Sequence, residues 1–268
     1  MTASSLEPCP PAPRTPPLTG SYARLADAFP QLRIHCAPPR SGDGWVAGAD
    51  LVRGGSALGE LIAFDERLGL RLYGRAARPD VTAGFCLHRY TWPVALAFTV
   101  PWFLERRVPH LPAERVSINR ATGELTVRPT GFSCLPDDPA ATLPQARVVP
   151  DESALRAELL AALAEHMAPV LAAFRPRVRR GPRTLWGMTT DDVVEGLWYV
   201  GGLLGEEERV TAELAALLPG SGPAPFTGGA DFRAARGPDG TCGRTRISCC
   251  LFYTVQPDEA CFSCPRQK

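Results

Sequence analysis

Four cysteines near the C-terminal end constrain this chain more than any other feature. Cys249 and Cys250 are adjacent, the ten residues Leu251 to Ala260 follow, and Cys261 and Cys264 close the pattern with Phe262-Ser263 between them. Nine cysteines placed at random over 268 positions would rarely crowd in this way. Thiols so close share a purpose, and the choices are a metal ion, an iron–sulfur cluster or disulfides.

Composition bears on that choice. The segment before the first aromatic has no basic start followed by an apolar run, and no apolar stretch of about 18 residues is free of charge. We therefore expect a cytoplasmic protein without a membrane span, in a compartment where thiols stay reduced. An odd cysteine count also argues against a closed disulfide framework. A formal net charge of +1 gives no global reason to expect nucleic acid. Hydrophobic residues make up 45% of the chain, enough for a full core.

The order of patterns predicts an α+β fold: a mostly helical body with a small antiparallel sheet, followed by a cysteine-rich segment. Residues 1–18 are proline-rich and read as an extended tail, 19–220 as the body, and 221–268 as a linker plus the cysteine segment. Helical spacing covers Ser21–Leu32 and, interrupted by Gly54-Gly55, Leu51–Phe64. Val81–Arg107 is apolar enough for a buried helix, kinked or split at Pro93 and Pro101. Period-two alternation at Arg115–Asn119 and Glu124–Arg128, with Ala121-Thr122-Gly123 between, predicts a β-hairpin. Pro136–Pro150 reads as loop. Asp151 then caps an amphipathic helix through Leu171, Pro182 starts another that ends at Gly205, and a third spans about Glu207–Leu218.

A Cys-x-x-Cys pair bends easily around one metal, but adjacent cysteines in extended backbone point to opposite faces. Cys249 and Cys250 serve one small ion only if the chain turns sharply there, whereas a two-iron centre gives them separate targets. Leu251–Val255 reads as a strand and Gln256–Glu259 as a turn, so the chain folds back and brings Cys261 beside Cys250. Apolar Leu251, Phe252, Tyr253 and Phe262 would then shield the sulfurs. A structural zinc site is the rival for four cysteines. It is weakened by the adjacent pair and by the lack of a second Cys-x-x-Cys knuckle.

The stretch Arg246-Ile247-Ser248-Cys249-Cys250-Leu251-Phe252-Tyr253, followed by Cys261-Phe262-Ser263-Cys264-Pro265-Arg266, resembles the C-terminal signature of the FhuF-like ferric-siderophore reductases. More loosely, Leu185-Trp186-Gly187 and the apolar helix before the hairpin resemble the family body. The resemblance implies a [2Fe-2S] cluster on Cys249, Cys250, Cys261 and Cys264. It further implies one-electron reduction of siderophore-bound Fe(III), of hydroxamate type, in the cytoplasm, with an external donor such as a ferredoxin or reductase. The alternatives are a siderophore-binding or assembly-related domain stapled by zinc or a cluster without turnover, and an electron carrier for another enzyme. No phosphate-cradling glycine loop follows a strand, so the chain itself offers no nucleotide site.

Other features read in two ways. Arg175, Arg177, Arg179, Arg180 and Arg183 are either a solvated connection between helices or a positive patch for an acidic electron donor. Cys242 is a spare thiol, Cys9 lies in the tail, and Cys36, Cys86 and Cys134 read as core or loop residues. His88 reads as a satisfied core histidine, and the pairs Asp137-Asp138 and Asp191-Asp192 as a loop and a helix face.

Overall fold

The computed structural model describes residues 16–233, 243–261 and 263–266. The proline-rich stretch 1–15, with Cys9, lies outside them, as do Cys242 and Phe262.

The body is organised around one helix. α4 (Pro79–Glu105) is apolar on every side, so it has no wet face and is enclosed by its neighbours. α5 (Glu152–Val178) and α6 (Pro182–Leu203) pack most extensively against it, and α1 (Thr19–Ala28) and α3 (Ser56–Tyr73) cover other sides. Trp102, Phe98, Phe103 and Leu96 on α4 are buried almost completely. Each such side chain contributes roughly 1.5–3 kcal/mol relative to exposure. α7 (Glu207–Leu217) lies on α6 where Gly201 permits close approach; a Cβ there would stand 2.5 Å from Val210 Cγ1.

α4 runs as one helix through Pro93 and Pro101, so it is not split there. An interior proline removes the donor to the carbonyl four residues back, and at Pro101 that carbonyl is Ala97 O. The buried Tyr22 hydroxyl of α1 donates to it at 2.8 Å. That carbonyl is therefore satisfied from outside the helix.

Helix boundaries follow local chemistry. Asp151 caps α5 by accepting from the Ala154 amide at 2.8 Å. Pro182 occupies the first turn of α6, where its missing N–H costs nothing. α2 (Gly48–Arg53) is separated from α3 by Gly54 and Gly55, both with positive φ, so the single helix over 51–64 becomes two. α1 stops at Ala28 before Pro30.

Among the described residues, seven short strands form two sheets. The first has the order β1 (Arg33–Cys36), β5 (Glu124–Val127), β4 (Val116–Asn119), β2 (Trp45–Ala47). β4 and β5 are the expected hairpin, paired Ser117 to Thr126. β1 joins β5 in parallel, which makes the sheet mixed where an antiparallel one is expected. The second sheet is β3 (Arg107–His110), β6 (Gly131–Cys134) and β7 (Ala146–Val148), again with one parallel pair. β7 falls in the stretch read as loop, held because residues 146–148 lie alongside β6.

α5 is the one helix among the described residues long and apolar enough to cross a bilayer. Its Leu155, Leu159, Leu163, Met167, Val170 and Phe174 are buried in the core. The glycine- and proline-rich stretch after α7 is packed as well: Phe226 is buried edge-on against Trp186, and Ala230 bonds back to Leu218.

Candidate metal centre

The cysteine segment is fastened to α6 by charge. Asp191 and Glu195 stand one turn apart on that helix and Asp192 beside them. Arg244, its side chain wholly buried, gives Asp191 Oδ1 a bond of 2.7 Å, Glu195 Oε1 one of 3.0 Å and Ala230 O one of 2.9 Å. Asp191 also accepts the amides of Ile247 and Ser248, each at 2.9 Å, and the Ser248 hydroxyl at 2.6 Å. Arg246 reaches Asp192 at 3.4 Å and Glu195 at 3.6 Å. Burial works against its charge, but Asp192, Glu195 and Asp191 together outweigh it and hold the guanidinium protonated. The acidic pair that reads as a helix face is thus the buried anchor of the segment. Only the alternation of Arg244 and Arg246 in the sequence hints at it.

Small residues bring the two parts close. A Cβ on Gly187 would meet Ile247 Cγ2 at 3.5 Å and Ser248 Cβ at 3.8 Å, so α6 touches the chain directly before Cys249. The second arm is tied in by Arg246 N, which donates to Ser263 O at 2.8 Å, and by the Ser263 hydroxyl on Glu195.

Between the arms the chain folds back as expected, by a different route. Leu251 takes a left-handed conformation (φ 63°), and Phe252–Thr254 form a 3₁₀ turn instead of a strand. That left-handed residue turns the chain directly after Cys250. Glu259 N bonding to Gln256 O closes the expected turn. Phe252 packs edge-on against Tyr73 at 5.4 Å and beside Phe85 at 6.5 Å, which ties the segment to α3 and α4. The Tyr253 ring lies under the Arg266 guanidinium at 4.1 Å.

Cys250 Sγ and Cys261 Sγ approach to 3.7 Å. Cys249, Cys250 and Cys261 are half-buried and Cys264 is buried; Cys264 Sγ accepts the Arg266 amide at 3.4 Å. Burial, then the neighbouring Cys250, push the Cys261 thiol up to about 12. Two thiolates side by side in such a place need a bound cation to stay ionised. Among the described residues no three His, Cys, Asp or Glu side chains are grouped as a metal site; of the four cysteines, the structure brings Cys250 and Cys261 together. Cys86 sits in α4 and Cys134 in β6, both buried, and Cys36, in β1, is exposed.

Beside Cys261 opens a cavity of about 700 Å³. Its walls are the rings of Phe29, Trp92, Trp198 and Tyr199, with Phe29 edge-on to Trp92 at 5.7 Å. Its charged lining is Glu195, Glu207 and Arg246, with His88 among them. His88 is not enclosed in the core: it is one-third exposed, and its Nδ1 meets Asp192 Oδ1 at 2.5 Å. A space of this size, mostly apolar with a few polar groups, is that of a small-molecule site.

Fold and segment together define an iron–sulfur protein: a helical body that carries a C-terminal cysteine hairpin next to a ligand-sized cavity. Residues 246–266 match the family model of the FhuF 2Fe-2S C-terminal domain. That domain implies a [2Fe-2S] cluster as the cofactor. Four thiols are the donor type such a cluster takes, and the Cys250 and Cys261 sulfurs stand 3.7 Å apart. No curated protein matches the chain.

Proposed function

We propose that the protein is a cytoplasmic ferric-siderophore reductase in which Cys249, Cys250, Cys261 and Cys264 hold the cluster. The carrying observation is the cavity of about 700 Å³ that opens onto Cys261. The cluster, when bound, supplies one electron at low potential to siderophore-held Fe(III), which leaves as Fe(II).

The chain's own residues hold and orient the substrate. Phe29, Trp92 and Tyr199 offer apolar faces to an organic ligand shell. Glu195 and Glu207 offset Arg246, so the lining has no excess of positive charge. A ferric hydroxamate complex, close to neutral, suits such a lining, whereas a strongly anionic complex is opposed by it. An electron carrier for another enzyme has no use for this cavity, and a zinc staple is disfavoured by the two-iron domain match.

The external donor has a candidate landing place. Arg175 and Arg177 at the end of α5, Arg179 after it and Arg183 in the first turn of α6 are exposed, Arg180 is half-buried, and none of these five is ion-paired among the described residues. Arg183 lies one turn of α6 before Gly187, the residue that faces Ile247 and Ser248. A positive patch so placed favours an acidic ferredoxin or reductase domain.

The ligand set is tested by Ser substitution at each of the four cysteines and, as controls, at Cys36, Cys86 and Cys134. The four should lose or alter the visible spectrum and the iron and sulfide content, and the three should keep them. A colourless protein with one stoichiometric zinc after anaerobic preparation would defeat the reading.

A further inference from the structure

Resting on the ligand reading above, we propose that Cys250 and Cys261 share one iron, at the mouth of the cavity, that Cys249 and Cys264 share the other, and that the cavity-side iron is the one reduced.

The pairing follows from one distance. Two thiolates about 2.3 Å from a common tetrahedral metal lie about 3.8 Å apart. Thiolates on different irons of a two-iron centre are held farther apart by the intervening sulfides. Cys250 Sγ and Cys261 Sγ are 3.7 Å apart, the separation of a shared iron. Four ligands divide two and two, so Cys249 and Cys264 take the remaining iron. The backbone supports this division. Cys264 N donates to Cys261 O at 3.0 Å, and Cys264 is buried where Cys261 lines the cavity.

The two irons then differ in surroundings. Cys261 lines the open cavity together with Arg246 and Ser263, whereas Cys264 is buried. Reduction adds negative charge, which is favoured where water and a cation can reach it. Arg246, whose guanidinium is always charged, lines the same cavity beside Cys261. Both effects favour the iron at the cavity, which is also the one nearest a bound substrate.

The test is proton NMR of the reduced wild-type holoprotein. In a reduced two-iron centre, cysteine β-protons on the ferric iron shift less as temperature rises, and those on the ferrous iron shift more. Overhauser contacts to neighbouring residues assign each cysteine. The expected result is that Cys250 and Cys261 show the ferrous pattern together and Cys249 and Cys264 the ferric one. If Cys250 instead groups with Cys249 or with Cys264, the pairing is overturned while the four-cysteine reading stands. If the pairs are as stated but the ferrous pattern belongs to Cys249 and Cys264, the site of reduction is overturned. A protein with no hyperfine-shifted cysteine signals and no visible spectrum would overturn the ligand reading itself.

Discussion

Arg244 Nη2 and Asp191 Oδ1 meet at 2.7 Å with neither side chain exposed. They join positions 53 residues apart, and the same carboxylate orders Ile247 and Ser248, the two residues before Cys249. The cysteine hairpin is therefore positioned by α6.

Asp191→Ala should accordingly leave the buried Arg244 with Glu195 as its one remaining carboxylate and free two amides. Loss of one member of a buried pair costs about 3–5 kcal/mol. Urea unfolding should show a lower midpoint, and the visible absorbance of the purified protein should fall. Replacing both members, as Asp191→Leu with Arg244→Met, should recover part of the stability without the absorbance, because the amides stay unanchored. An unchanged midpoint and spectrum in the single variant would remove the anchor from the account.

His166 gives the body a pH dependence that does not involve the cysteines. It is fully buried, with Nδ1 on Leu111 O at 2.7 Å and Nε2 facing the Tyr90 hydroxyl at 2.9 Å. Burial lowers it from 6.5 to about 4. The unfolded chain takes up the proton first, so stability is full above about pH 6.5 and is lost as pH falls toward 4. The slope is at most about 1.4 kcal/mol per pH unit. Denaturant melts at pH 7.5 and 5 should separate more for the wild type than for His166→Gln. Equal separation would mean that another group sets the slope.

These examples show what was legible in the sequence. The hairpin of β4 and β5 was, because period-two alternation and the turn around Gly123 are local signals. So were the caps at Asp151 and Pro182 and the cysteine spacing itself. The parallel pairing of β1 with β5 was not, since it joins residues about 90 apart and leaves no local pattern. Leu251–Val255 looked like a strand because its residues favour one; the left-handed Leu251, which turns the chain directly after Cys250, overrides that preference. Asp191 and Asp192 looked like a solvated face because their arginine partners lie far along the chain.

The arginine run makes a kinetic prediction. Reduction by an acidic protein donor should slow as salt rises, since the Debye length falls from about 10 Å at 0.1 M to about 3 Å at 1 M. Arg177→Gln, Arg179→Gln and Arg180→Gln together should slow reduction by that donor and leave reduction by a neutral chemical reductant unchanged. Equal rates with the protein donor before and after substitution would return the run to a solvated connection between α5 and α6.

The central claim is tested most directly by stopped-flow absorbance of the chemically reduced protein, freed of excess reductant and mixed with a ferric hydroxamate siderophore and a ferrous chelator. Tight Fe(III) binding lowers the iron's potential by about 59 mV for each tenfold preference over Fe(II), so the chelator is needed to pull the product forward. The account predicts reoxidation at a rate that saturates with siderophore, with about one Fe(II) trapped per [2Fe-2S] cluster. Gly202 lines the cavity and a Cβ there meets nothing within 4 Å, so Gly202→Trp should fill the space and slow the reaction without changing the cluster spectrum. An intact, reduced protein that reoxidises no faster than in buffer with any of several ferric siderophores would contradict the account.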